Sequence, residues 1–208
     1  MAKLNPIALI LTIFCLLVST LNVYAAREGP AAAVEDSFHR DICGGKEKVV
    51  KLHFYVQDLR IGHVNATVFE VAKASITPNN PFAFGSVHVL DDLVTEGPEF
   101  TSRALGRTQG LTTNADLSTF GIAMNLNFYF YAGRFSGSQL SILGRNQVTD
   151  AARELPVVGG TGAFRYARGY AIQTTYSMDP VSNYAVLEYT IYTTYNSKFN
   201  NEIEIAEM

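Results

Sequence analysis

Tyr184-Ala185-Val186-Leu187-Glu188-Tyr189-Thr190-Ile191-Tyr192-Thr193-Thr194-Tyr195 alternates throughout. Val186, Glu188, Thr190 and Tyr192 fall on one side; Leu187, Tyr189 and Ile191 fall on the other. A period of two is that of a β-strand, whose successive side chains point to opposite faces. Aromatic and β-branched residues fill the run, as they do on pleated, half-buried surfaces. Toward the N-terminus, residues 121–131 repeat the pattern, with Leu126, Phe128 and Phe130 against Asn125, Asn127, Tyr129 and Tyr131. Residues 49–57 put Leu52, Phe54 and Val56 opposite His53 and Tyr55. Further runs cover 66–72, 82–90, 102–111, 139–144 and a long, bent 164–178. Gly159-Gly160-Thr161-Gly162 has no following Lys, so it reads as a tight turn between strands rather than a phosphate cradle. The total is about eight strands with no long amphipathic helix, an all-β single domain. Closure into an antiparallel barrel would hide the sheet edges, and a two-sheet sandwich fits the same periodicity.

The ends read differently. Lys3, an apolar run from Ile7 to Val18 and Val23-Tyr24-Ala25 describe a secretory signal peptide over residues 1–25. The apolar run is too short for a membrane anchor, so no membrane association is expected after cleavage. Cys15 leaves with that leader, and Cys43 remains without an intramolecular partner. Residues 26–48, with Gly29-Pro30 and Gly44-Gly45, read as a flexible arm, 49–196 as the barrel and 197–208 as a tail. Asn65-Ala66-Thr67 is the one glycosylation sequon, and export makes Asn65 a candidate glycan site. A net charge of −3 argues against a phosphate-tracking nucleic-acid binder.

Familiar catalytic signatures are missing. There is no G-x-S-x-G elbow, no P-loop and no H-E-x-x-H, and His39, His53, His63 and His88 share no metal-ligand spacing. The remaining polar candidates are Asp58, Asp91-Asp92 and Arg153-Glu154. Asp58 and Asp91 read most simply as caps at strand ends, and Arg153-Glu154 as a solvated pair. The sharper reading sets Asp58 and Arg153 at the mouth of an apolar cavity. There a carboxylate moves a proton and a guanidinium holds a phenolate or carboxylate.

Leu52-His53-Phe54-Tyr55-Val56-Gln57-Asp58 resembles the opening motif of plant dirigent proteins, which usually ends in His-Asp. Phe84-Gly85 through Asp91-Asp92-Leu93-Val94-Thr95-Glu96-Gly97-Pro98 resembles their second block, and Gly106-Arg107-Thr108-Gln109-Gly110 their third. Met124-Asn125-Leu126-Asn127-Phe128 and Arg153-Glu154-Leu155-Pro156 through Gly162-Ala163-Phe164 resemble later ones. The resemblance implies an eight-stranded antiparallel barrel in a secreted, apoplastic homo-oligomer, trimer or dimer, with no cofactor and no metal. It also implies a phenolic small-molecule partner. An external laccase or peroxidase makes phenoxy radicals from monolignols such as coniferyl alcohol, and the barrel directs their coupling. Some relatives act instead as lyases, closing pterocarpan rings through quinone methides.

Carried over residue by residue, the resemblance makes Asp58 and Arg153 the catalytic candidates. Asn146 stands where lignan-forming members carry an acid, and it can donate a hydrogen bond but not a proton. Thr112 stands where pinoresinol-forming relatives carry Tyr, and Tyr184 falls near an aromatic pocket position. Cys43 matches one Cys of a family pair whose C-terminal mate is missing here. Three readings follow: a guide for radical coupling, a lyase or cyclase, and a non-catalytic ligand-binding barrel.

Overall fold

A computed structural model describes residues 47–60 and 62–196. The expected leader, the arm up to residue 46 with Cys43, and the tail over 197–208 lie outside the described residues. The strands are β1 (Glu47–Leu59), β2 (Val68–Ala72), β3 (Val87–Thr95), β4 (Ala104–Asn114), β5 (Gly121–Phe130), β6 (Gln139–Gln147), β7 (Arg153–Thr161), β8 (Gly169–Asp179) and β9 (Tyr184–Asn196). Each pairs antiparallel with its neighbours in the order β1-β9-β8-β7-β6-β5-β4-β3-β2. Tyr55–Thr95, Val56–Val94 and Gln57–Leu93 then join β1 to β3. That seam closes an eight-stranded antiparallel barrel. The short β2 lies outside the ring and pairs with the other half of β3, from Val68–Leu90 to Ala72–Val87.

Membership of the ring differs from the sequence expectation. Strand β7 occupies the stretch read as polar residues and a glycine turn, and β2 takes its place outside the ring. Arg153, Leu155 and Val157 point inward and are buried, while Glu154, Pro156 and Val158 are exposed, so the period of two is present. Pro156 and the glycines disguised it. Pro156 lies beyond the last β6–β7 pair, Ile142–Val157, where a missing N–H leaves that ladder intact. The long run expected over 164–178 starts only at Gly169, because Gly162–Phe164 forms a 3-10 turn. Asp91 and Asp92 do not end a strand: β3 runs on to Thr95.

One end of the barrel is filled with rings. Phe54 lies 5.2 Å from Phe128 and 5.9 Å from Tyr189, centroid to centroid, and Phe128 lies 5.2 Å from Tyr189. Leu140, Ile142, Leu155 and Ile191 pack around them with no exposed surface. Burying such rings drives folding through apolar area, with a further gain from edge-to-face geometry. Toward the other end the same inward stripes turn polar. Phe54 and Val56 on β1 give way to Asp58, Leu140 and Ile142 on β6 to Asn146, and Ala171 on β8 to Gln173.

The glycine stretch has a packing role. A Cβ on Gly160 would stand 2.2 Å from the Gln139 carbonyl oxygen and 2.7 Å from the Phe164 Cβ. Gly160→Ala is therefore expected to lower stability by about 1–3 kcal/mol, the usual cost of overpacking, read from guanidinium unfolding midpoints.

Candidate functional site

The polar end of the barrel encloses a cavity of about 580 Å³. Its belt is apolar, with Val56, Leu90, Met124, Leu126 and Leu187, and Phe120 also lines it. Tyr189 forms part of the wall. Its phenol is held far above the ordinary value by burial, and Arg153, Asp58 and Asp92 all act on it electrostatically.

Two groups of polar side chains face this space. The first is at the closure seam. One residue beyond the Gln57–Leu93 pair on each strand come Asp58 and Asp92, both buried. Asp58 Oδ2 accepts from Arg60 Nε and Nη2, each at 2.9 Å. Asp92 Oδ1 accepts from Thr67 Oγ1. Burial, then the charge of Asp58, pushes the Asp92 carboxyl up to about 8, against the opposing pull of Thr67 and Arg107. Like charges at close range cannot both ionise cheaply, so Asp92 is the member that keeps its proton at neutral pH. Thr108 stands opposite Asp92 in the β3–β4 register.

The second group spans β6, β7 and β8. Asn146 Nδ2 donates to Gln173 Oε1 at 2.7 Å and to Met124 Sδ at 3.0 Å. Gln173 pairs in register with Arg153. The Arg153 guanidinium donates to the Asp150 carbonyl at 3.1 Å and to Thr175 Oγ1 at 3.0 Å. Burial lowers its pKa from the ordinary value.

Among the described residues, the buried side-chain polar atoms left without a partner are Asp58 Oδ1, Thr108 Oγ1, Asn146 Oδ1 and Arg153 Nε. All of these residues line the cavity. A buried polar group without a partner costs about 1–3 kcal/mol, so four such atoms gathered around one space make it the candidate binding site.

The structure thus brings Asp58, Arg153, Asn146 and Thr112 to one cavity. Tyr184 is not among its lining residues. Its hydroxyl donates to Gln57 Oε1 on the outer side of the barrel, and its ring lies 6.2 Å from that of His63. Asn65 is exposed in the turn after β1. Sequence reasoning missed the roles of Asp92, Thr108, Gln173 and Tyr189. The signal for Asp92 was available: Leu90, Asp92 and Val94 share the inward stripe of β3 once that strand is extended.

The comparisons agree with this geometry. Residues 49–194 match the family model described as Dirigent-like protein. Dirigent protein 11 of Arabidopsis thaliana is 44% identical over 146 residues, covering 70% of this chain and 74% of the relative. Pterocarpan synthase 1 of Glycyrrhiza echinata is 41% identical over 148 residues, covering 71% of this chain and 78% of the relative. The solved pterocarpan synthase dirigent protein GePTS1 superposes with a TM-score of 0.69 at 38% identity, covering 76% of this chain and 96% of that one. A barrel closed at the β1–β3 seam, a cavity at its polar end and relatives matched over most of the chain lead to one conclusion: the chain belongs to the dirigent family.

Proposed function

We propose that the cavity binds a phenolic ligand and that the Asp58–Asp92 pair delivers a proton to a quinone methide held against it. The observation that carries this reading is the buried Asp92 beside buried Asp58 at the closure seam, where burial and the Asp58 charge push the Asp92 carboxyl up to about 8. A quinone methide becomes electrophilic when its oxygen is protonated or hydrogen-bonded, which calls for a positioned acid that keeps its proton at neutral pH. Asp92 is the acid and Asp58, oriented by Arg60, receives the proton released on ring closure. Similarity to pterocarpan synthases supports this lyase or cyclase reading.

Radical coupling is the second reading, and the size of the cavity favours it. A pocket of about 580 Å³ takes one two-ring ligand or two single-ring molecules. Monolignol radicals made by an external laccase or peroxidase need only orientation once they meet, and an apolar belt with polar ends supplies it. Either chemistry suits an apoplastic protein released after Ala25, with glycan on Asn65. A homo-oligomer would use the outer row of exposed Phe69, Val89, Leu111 and Leu143, which Asn125 interrupts between the last two.

The two readings separate in one assay run with and without a one-electron oxidant. Under the lead reading, a 4-hydroxyisoflavan loses its 4-hydroxyl as water, the proton for that departure coming from its own ring phenol by way of the carboxyl pair, and the resulting quinone methide cyclises without oxidant. Enantiomeric excess from coniferyl alcohol, seen only with oxidant, would replace it by the coupling reading. Asp92→Asn and Asp58→Asn are each expected to lower turnover by about 10²–10⁴-fold. The wild-type rate should fall as pH rises through about 8, where Asp92 loses its proton.

The same group sets a stability slope. Asp92 titrates near pH 4 in an unfolded chain and at about 8 when folded. Between those values unfolding releases a proton, so stability falls as pH rises across the window. Asp92→Asn removes the slope. Its guanidinium midpoint should gain on the parent's between pH 4 and pH 8, and parallel curves would count against a proton held on Asp92.

A further inference from the structure

The two polar groups face each other across the barrel. Going round the ring, β9 and β8 separate β1 from β7, and β4 and β5 separate β3 from β6. The β1–β3 seam, with Asp58 and Asp92, therefore lies opposite the β6–β7 side, with Asn146 and Arg153. Each side presents two unpartnered atoms, Asp58 Oδ1 and Thr108 Oγ1 on one, Asn146 Oδ1 and Arg153 Nε on the other.

The second pair is chemically particular. Asn146 has its amide nitrogen committed to Gln173 and Met124, so its free atom is a carbonyl oxygen, an acceptor only. The free atom of Arg153 is Nε, whose N–H is a donor only. Asn146 and Arg153 are 4% and 6% exposed and flank the same residue, Gln173, by hydrogen bond and by register. A hydroxyl has both complementary roles, an oxygen to accept from Nε–H and a proton to donate to the amide oxygen. An ether oxygen satisfies only Arg153, and a carboxylate, though drawn to the guanidinium, has no proton to donate to the amide oxygen.

We propose that Asn146 and Arg153 form a hydroxyl-specific subsite that anchors the far end of an elongated phenolic ligand and so determines which end meets Asp58 and Asp92. This rests on the phenolic reading of the cavity. It narrows the substrate class to phenols with an oxygen function at each end, of which the anchored one must be a free hydroxyl. The acid pole is less strict, because the Asp92 carboxyl donates its proton equally to a hydroxyl or an ether oxygen.

The test uses 4,4′-dihydroxystilbene, its monomethyl ether and its dimethyl ether, titrated against the full chain by fluorescence. The diphenol and the monomethyl ether should bind within about threefold of each other, the latter turning its ether toward the acids. The dimethyl ether should bind at least about tenfold more weakly, since it leaves the Asn146 oxygen unpartnered. Asn146→Ala should level the three affinities. Asn146→Asp keeps an acceptor and should preserve the order. A dimethyl ether that binds wild type as tightly as the monomethyl ether overturns the subsite and leaves the phenolic reading standing. Failure of all three to bind overturns both.

Discussion

Three residue pairs between β1 and β3 turn a row of strands into a closed barrel, and the site hangs on that closure. Without the seam, β1 and β3 would be neighbours of only one ring strand each. With it, Asp58 and Asp92 come side by side under burial, and the second carboxyl retains its proton. The seam is held from outside by a buried amide. Gln57 is fully buried, donates to Thr95 Oγ1 at 2.7 Å and to the Pro98 carbonyl at 3.3 Å, and accepts from Tyr184. The residue next to Asp58 thus fixes the strand that carries it. Tyr184 reaches the chemistry only through this clamp.

The barrel divides its work along its axis. At the ring-filled end, aromatic and aliphatic side chains are packed without exposed surface, which supplies apolar burial. At the other end the same strands place carboxylates, amides and a guanidinium around a void. One polar atom each of Asp58, Asn146 and Arg153 is left without a partner there, at a cost the packed end must offset. Such a trade is expected of a binding site built on a rigid scaffold, since partners supplied in advance would leave a ligand nothing to complete.

How much of this was legible depended on where each residue sits in the alternation. The stripes of β1, β5 and β9 are uninterrupted, and their inward faces could be read directly. Strand β7 could not, because Pro156, Gly159 and Gly160 are turn residues by local preference. Their tolerance here comes from where β6–β7 pairing stops and from how closely Gly160 approaches the Gln139 carbonyl, both tertiary facts. Asp92 was hidden by a strand boundary placed too early. Gln173 and Thr108 carry no local signal at all: an inward polar residue on a β-strand is indistinguishable from an outward one until the neighbouring strands are in register.

The sequon and the acid share a residue. Thr67 is the third member of Asn65-Ala66-Thr67, the member a glycosyl-transferring enzyme must read, and its hydroxyl is also the one bonded to Asp92. Removing the glycan signal by Thr67→Ala would strip a stabilising hydrogen bond from the Asp92 carboxylate and raise its proton affinity further. Loss of sugar and change of acidity would then be confounded in one variant. Asn65→Gln abolishes the sequon while leaving that hydroxyl in place, so the two positions separate decoration from chemistry.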